Sequence, residues 1–263
     1  MNSHRLINQK HPAPFIEQLS TQEWLPLLAS YQLLPDVLRE MLLDRAIADW
    51  EQTSETLLLT SEEITAAYQA FCQQHHLTST HEQQAWLQNH GLPPQHLEAV
   101  VTRKLKIQKF KQAKWGNKLE SYFLSRKRQL DRVVYSLLRT SDPELAQELY
   151  FRIQAGEQSF ADLAQTYSQG PEALTNGILG PVELGTLHLD LARLLAVSQP
   201  SQLWSPKPFG EWWVIVRLER ILPAQLNEFM RQRLLNELFE TWLQKQFQEV
   251  SELDQRQLNL TAH

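Results

Sequence analysis

Hydrophobic positions in the first half of the chain recur at helical spacing. Leu38, Leu42 and Ala46 lie four residues apart, so they share one face of a helix. Thr60 and Glu63 have the spacing of a capping box, in which two side chains satisfy the first free N–H groups of a helix. Patterns of this kind predict about five helices and no strand in the first half of the chain.

The hydrophobic period then changes. Val133 to Leu138 is a short apolar, β-branched run that predicts a strand. Asp142 and Ser159 are typical helix caps, each followed by a helical pattern, and Gly156 and Gly170 are stop signals. With further strands at 178–184, 203–204 and 212–218 and a helix at 187–196, the predicted order is β-α-α-β-α-β-β.

A long helix is predicted at the end of the chain. Apolar residues recur at every fourth position from Leu226 to Trp242, and the helical pattern continues to about Val250. Such a helix is too long to be a minor appendage of the preceding α/β segment. The chain is therefore predicted to be an α+β protein, with helices before and after a mixed segment.

Composition bounds the class of protein. The chain has 263 residues, 42% of them hydrophobic and 21% charged, which is ordinary for one or two globular domains. Its single cysteine, Cys72, excludes an internal disulfide and is predicted to be a helix residue. Because we find neither an apolar run of transmembrane length nor the apolar core of a secretory signal, we expect a cytoplasmic protein.

Charge is unevenly distributed. Residues 103–132 hold eleven of the 25 Lys and Arg residues and only two acidic ones, within a chain of net charge −5. Aromatic residues are interleaved there, so the segment could contact phosphates and bases. The simpler interpretation is a solvated helix face balanced by the acidic remainder. Because the whole chain is negative and has no nucleic-acid motif, we expect no nucleic-acid partner.

Four motifs in the second half resemble the parvulin family of peptidyl-prolyl isomerases. Their order is Arg-Val-Val-Tyr-Ser-Leu-Leu-Arg at 132–139, Phe-Ala-Asp-Leu-Ala at 160–164, Asn-Gly-Ile-Leu-Gly at 176–180 and Trp-Val-Ile-Val-Arg-Leu-Glu at 213–219. The family usually reads Ala-Ser-His-Ile-Leu, Phe-x-x-Leu-Ala, Gly-Gly-x-Leu-Gly and Gly-Tyr-His-Ile-Ile. The scaffold positions match, whereas both family histidines are absent.

The resemblance implies a layout like that of the SurA and PrsA foldases. We predict a flexible N-terminus at 1–14, a helical SurA-like domain at 15–131 and a parvulin-like domain at 132–222. Residues 223–263 would form the C-terminal helix, which packs back on the helical domain in that layout. The best-known proteins of this layout are exported, in contrast to the cytoplasmic location expected here.

The same resemblance places the family's catalytic network. Its first histidine falls on Ser136, its Cys or Asp near Gly170, and its second histidine near Val214. Glycine and valine cannot replace polar side chains, and polar preorganisation is usually the largest contribution to catalysis. No catalytic residue is therefore assigned. Ser136 could be a remnant of the network, and the simpler interpretation is a strand residue with a satisfied hydroxyl. Isomerase activity should be weak or lost.

An apolar slot for a proline ring can persist without the histidines. The family supplies its wall from the region of Leu187 and Leu191, with Phe209, Trp212 and Trp213 near the rim. Adjacent strand residues point to opposite faces of a sheet, so one of the two tryptophans would be core and the other could contact a peptide.

The remaining site classes find little in the sequence. The nine histidines show no metal-ligand spacing, and no phosphate-binding loop or nucleophile elbow occurs. We therefore expect no metal and no cofactor. The leading hypothesis is a foldase-type chaperone that binds proline-containing or unfolded peptides. The alternatives are a non-catalytic adaptor that delivers peptides and a binder of nucleic acid or anionic surfaces through 103–132. The sequence does not indicate the oligomeric state.

Overall fold

The computed structural model describes residues 21–53 and 59–261; the side chains of residues 21–23, 25 and 251–261 lie outside the description, as does the predicted flexible segment 1–14. The described helices are α1 (Thr21–Ser30), α2 (Leu34–Thr53), α3 (Ser61–Gln74), α4 (Thr80–Asn89), α5 (Leu97–Trp115), α6 (Leu119–Leu130), α7 (Pro143–Ala155), α8 (Phe160–Tyr167), α9 (Leu189–Ala196) and α10 (Glu228–Thr261). The strands are β1 (Arg132–Thr140), β2 (Ile178–Glu183), β3 (Leu203–Phe209) and β4 (Trp212–Leu222).

The predicted α+β class and the order β-α-α-β-α-β-β are confirmed. The four strands form one antiparallel sheet in the order β2-β1-β4-β3. Local signals start the helices where the sequence predicts: Asp142 caps α7 and Ser159 caps α8 through backbone N–H groups. Gly156 ends α7 in the left-handed conformation that glycine adopts without steric cost.

Each face of the sheet buries a separate apolar cluster. The first face packs against α9, and we call it the α9 face; its buried residues are Val133, Tyr135, Leu137, Leu184, Leu191, Leu195, Val214, Val216 and Leu218. The opposite face packs against α7 and α8; its buried residues are Leu138, Leu149, Phe160, Leu163, Ala164 and Ile215. Strand alternation therefore sorts the side chains of β1 and β4 between two environments.

The chain divides into two compact units, 118–234 and 1–117 with 235–263. The mixed domain predicted from the sequence spans 132–222. The compact unit of the structure also contains α6 and the first turns of α10. The ion pair of Arg233 with Glu183 attaches the start of α10 to β2. Gln129 of α6 lies against Gly185 in the turn after β2.

The helical unit has its own core. Leu43 and Ile47 of α2, Phe110 of α5, and Phe239 and Leu243 of α10 are buried together. The C-terminal helix therefore packs on the N-terminal helices, as the predicted fold requires. Thr60 and Glu63 form the predicted capping box at the start of α3.

Candidate functional site

The α9 face brings together four of the five residues predicted to bind a peptide. Leu191 is buried in the cluster, and Leu187, Phe209 and Trp212 are half-buried and pack against it. Phe209 and Trp212 are directly opposite each other across the turn between β3 and β4. Sequence pattern explains α9: its apolar residues recur on one side of a two-turn helix, and that side covers the sheet.

Trp213 is the fifth predicted residue, and the structure separates it from the others. Its cross-strand partner is Thr140, so it lies on the face of the sheet opposite the α9 face. The side chain is half-buried. Of the two adjacent tryptophans, Trp212 therefore belongs to the candidate site and Trp213 does not.

Ser136 also lies away from the α9 face. Its side chain is 1% exposed, and its hydroxyl donates a hydrogen bond to Glu219. Glu219 in turn accepts a hydrogen bond from Arg217, whose guanidinium lies over the ring of Phe160 on the α7 and α8 side. Ser136 is thus a buried residue with a satisfied hydroxyl rather than part of a slot on the α9 face.

Tyr135, and not Ser136, lies on the α9 face. Opposite residues in an antiparallel pair share a face, and Tyr135 is paired with Leu218 whereas Ser136 is paired with Arg217. The family motif Ala-Ser-His-Ile-Leu laid from Val133 to Leu137 puts its histidine on Tyr135 and its leucine on Leu137. The earlier placement was one residue late, and a slip of one residue moves a strand position to the other face.

The Tyr135 side chain is enclosed but its hydroxyl is not bonded to protein. The residue is 5% exposed. Within the described residues, the hydroxyl has no hydrogen-bond partner in the protein and is not fully buried, so it keeps access to solvent. Burial raises the pKa of Tyr135, and the nearby Glu172 carboxylate raises it further, against a smaller opposing effect of Arg139.

An ion pair stands beside Tyr135. The Nε and Nη2 atoms of Arg139 donate to the two carboxylate oxygens of Glu172 at 2.9 and 2.8 Å. Glu172 is only 1% exposed and also accepts a hydrogen bond from the hydroxyl of Ser168. Burial by itself would raise the pKa of Glu172, but the hydrogen bonds from Arg139 and Ser168 outweigh burial and lower it. The carboxylate is therefore charged and fully engaged at neutral pH.

Arg139 also accounts for Gly170, the position of the family's Cys or Asp. A Cβ atom added at Gly170 would lie 2.0 Å from Arg139 Nε and 2.2 Å from Nη2. The guanidinium thus fills the space that a side chain at 170 would need. It also lies 5.7 Å from the centre of the Trp212 ring, which holds it at the rim of the α9 face.

Val214 completes the comparison with the family network. It is buried in the α9-face cluster, and its partner on the neighbouring strand β1 is Arg139. The site therefore combines an apolar wall with one phenol and one internally neutralised ion pair. Such an arrangement offers an apolar surface for a ring and a neutral hydrogen-bond donor beside it.

Sequence reasoning missed Tyr135, Arg139 and Glu172. A signal for the first two existed, since every second residue of β1 from Val133 to Arg139 shares the α9 face. Glu172 gave no such signal, because it lies in the short 3-10 turn Pro171–Thr175, where spacing does not predict burial.

The described ranges contain neither a membrane-spanning helix nor a cluster of metal ligands. No helix there combines the length and the apolar character that a membrane crossing requires. The same residues contain no group of three or more His, Cys, Asp or Glu side chains arranged to hold a metal ion.

Comparisons with known proteins agree with the motifs. Chaperone SurA of Pseudomonas fluorescens Pf0-1 is 33% identical over 112 residues, which are 39% of this chain and 26% of the relative. Chaperone SurA of Alkalilimnicola ehrlichii is 36% identical over 107 residues, which are 36% of this chain and 24% of that protein. The chain thus spans about a quarter of the length of the curated relatives it matches.

Among solved structures, PrsA from Bacillus anthracis aligns over 82% of this chain and 97% of its own, with 18% identity and a TM-score of 0.42. The parvulin domain of PpiD from E. coli aligns over 38% of this chain and 97% of its own, with 26% identity and a TM-score of 0.33. The family model described as "Rotamase: PPIC-type PPIASE domain" matches residues 139–220. Residues 139–220 are therefore similar to the PPIC-type, or parvulin-type, peptidyl-prolyl isomerase domain.

Proposed function

We propose that this protein is a foldase-type chaperone whose parvulin-type domain binds proline-containing segments of unfolded chains and isomerises them weakly. The observation that carries the proposal is the α9 face: an apolar wall formed around Leu191 persists, while both histidine positions are occupied by Tyr135 and Val214. The match to the PPIC-type domain and the likeness to proteins named chaperone SurA support the class of client.

The chemistry of the reaction fits such a site. Rotation about a peptide bond has a barrier of about 18–20 kcal/mol in water, because resonance gives the C–N bond partial double-bond character. No covalent intermediate is needed, so an apolar slot that favours the twisted amide can by itself increase the rate. Without a polar histidine network the acceleration should be modest, because polar groups preorganised for the transition state are usually the largest contribution.

The test is peptide binding by variants at the half-buried part of the slot. Leu191 is unsuitable, because it is 8% exposed in the core cluster and an aspartate there would unfold the domain. Leu187→Asp places the charge at the half-buried edge of the slot instead. Leu124→Asp is the matched control, since Leu124 is an exposed leucine of α6 and does not belong to the cluster.

The readout is NMR titration with a panel of Xaa-Pro peptides. We expect Leu187→Asp to weaken binding at least about tenfold, because an unpaired charge would face the apolar ring of the ligand. Leu124→Asp should bind as the unchanged protein does, and both variants should keep the melting temperature within a few degrees. Equal binding by the two variants would show that peptides bind elsewhere.

The cytoplasmic location stays a prediction, which fractionation of the native host would test.

A further inference from the structure

We propose that the hydroxyl of Tyr135 is the catalytic hydrogen-bond donor of the residual isomerase site, acting on the prolyl nitrogen as the amide twists. This inference rests on the proposed function, since it requires that the α9 face holds the prolyl peptide. It assigns a catalytic residue that differs from both family histidines in chemistry and stands at the position of only one of them.

Position is the first argument. Tyr135 belongs to the same buried cluster as Leu191, against which the half-buried Leu187 and Trp212 pack. Its neighbours along the face, Val133 and Leu137, are apolar and offer no donor. A ligand seated on this wall would therefore meet the phenol as the polar group at its centre.

Availability is the second argument. The hydroxyl has no protein partner among the described residues and keeps access to solvent, so a ligand can displace water from it without breaking a protein hydrogen bond. The neighbouring charged groups do not bond to the Tyr135 hydroxyl. Two nitrogens of Arg139 donate to Glu172, and the Glu172 carboxylate also accepts a hydrogen bond from Ser168. Burial and the Glu172 carboxylate both raise the pKa of Tyr135, so the group remains a protonated donor at neutral pH.

The chemistry of rotation decides which atom of the amide accepts the hydrogen bond from Tyr135. In the planar amide, the lone pair on nitrogen is delocalised into the carbonyl and accepts poorly; in the twisted amide, it is localised on nitrogen. A donor aimed at nitrogen therefore interacts more strongly with the transition state than with the ground state, which is the condition for catalysis. No proton is transferred and no bond is formed, so the peptide leaves unchanged except for its isomer.

Tyr135→Phe is the direct test, because it removes one oxygen atom and retains the ring that fills the core. The rate of cis/trans exchange in a bound Xaa-Pro peptide is measured by NMR exchange spectroscopy, and the dissociation constant by titration of the same peptide. We expect kcat/KM to fall about tenfold, the scale of one uncharged hydrogen bond, with the dissociation constant unchanged within about twofold. Tyr150→Phe, on α7 at the other face, should change neither quantity.

Two further variants examine the other polar groups at the rim. His188 is exposed and its ring lies 6.1 Å from that of Phe209, so His188→Ala tests whether a nearby imidazole acts instead. Arg139→Lys retains a positive charge while removing the two-pronged contact with Glu172. The proposal is overturned if Tyr135→Phe retains the rate, or if it weakens binding and the rate by the same factor. If the protein binds the peptide but never isomerises it, the role of Tyr135 is overturned and peptide binding still stands. The proposed function is tested separately, by the loss of binding in Leu187→Asp.

Discussion

The Arg139 side chain occupies the space that a side chain at residue 170 would need, at the rim of the site. A Cβ atom at residue 170 would lie 2.0 Å from Nε of Arg139, which is too close for two atoms that are not bonded. Gly170 has an ordinary extended backbone, with φ −120° and ψ 177°, so the constraint is space and not conformation. The departure from the family at 170 is thereby tied to the arginine on β1.

This relationship predicts a non-additive pair of substitutions. Gly170→Ala should destabilise the domain by about 1–3 kcal/mol, because the methyl group displaces a guanidinium that Glu172 holds in place. In an Arg139→Met background the same change should cost about 1 kcal/mol less, since the obstacle is gone. The measurement is a double-mutant cycle by urea unfolding. Strictly additive free energies of unfolding would contradict the steric link.

The ion pair predicts an acid-side loss of stability. The folded pKa of Glu172 is lowered, so its contribution is fully present above the unfolded value of about 4.3 and is lost as pH falls through the folded pKa. The difference in free energy of unfolding between the unchanged protein and Glu172→Gln should thus be constant near neutrality and shrink below about pH 4. Urea unfolding across this range measures it.

A control separates Glu172 from other carboxylates. The pKa of Glu183 is also lowered, chiefly by its hydrogen bonds from Arg233, but this contribution is common to both proteins and cancels in the difference. Glu211→Gln removes an exposed carboxylate that makes no ion pair among the described residues. If the difference between Glu211→Gln and the unchanged protein has the same slope with pH as that of Glu172→Gln, the ion pair is not the cause.

Phe239 and Phe229 on α10 predict opposite outcomes. Phe239 is 4% exposed in the core of the helical unit, whereas Phe229 is 75% exposed. Phe239→Ala should cost about 3–5 kcal/mol, because it leaves a cavity beside Phe110 and Leu243. Phe229→Ala should change stability by less than about 0.5 kcal/mol. Equal melting temperatures for the two variants would show that α10 does not cover that core.

Ending the chain at Pro223 extends the same test. The truncated protein would lack Phe239 and Leu243 and so expose the apolar faces of Leu43, Ile47 and Phe110. We expect a lower melting temperature and poorer solubility, because a large apolar patch is left open to water. Light scattering and calorimetry measure both; unchanged values would contradict a structural role for the helix.

Residues 103–132 predict little affinity for nucleic acid. Arg103, Lys106 and Lys109 already pair with acidic residues of the helical unit. Lys114 Nζ lies 4.0 Å from the centre of the Trp242 ring, and burial lowers its pKa. Lys114→Glu should therefore destabilise this unit by about 1–2 kcal/mol, whereas Lys104→Glu at an exposed position should not.

The same pair of variants serves the binding experiment. At ~0.15 M salt, interactions between exposed charges more than about 8 Å apart are largely screened. We therefore expect no measurable RNA binding by either variant or by the unchanged protein. Fluorescence anisotropy with a labelled oligonucleotide measures this. Tight binding that falls steeply with salt and disappears in Lys104→Glu would identify the segment as a phosphate-binding surface.

The sequence by itself determined the elements of this protein. Helical and strand periods, the caps Thr60, Asp142 and Ser159 and the stop at Gly156 are local signals, because each depends on hydrogen bonds and dihedral angles within a few residues. They were sufficient for the order of the mixed domain, whereas the apolar wall around Leu191 was predicted from the family resemblance. The motifs then indicated the family.

Only the tertiary structure decided which polar groups face the site. Strand alternation places Tyr135 and Ser136 on opposite faces, but only the packing of α9 against one face decides that the site lies on the side of Tyr135. The pairing of Arg139 with Glu172 joins residues 33 positions apart. Such contacts are selected by burial and space in the folded chain, because a charge is stable there only beside its partner; no local pattern in the sequence encodes them.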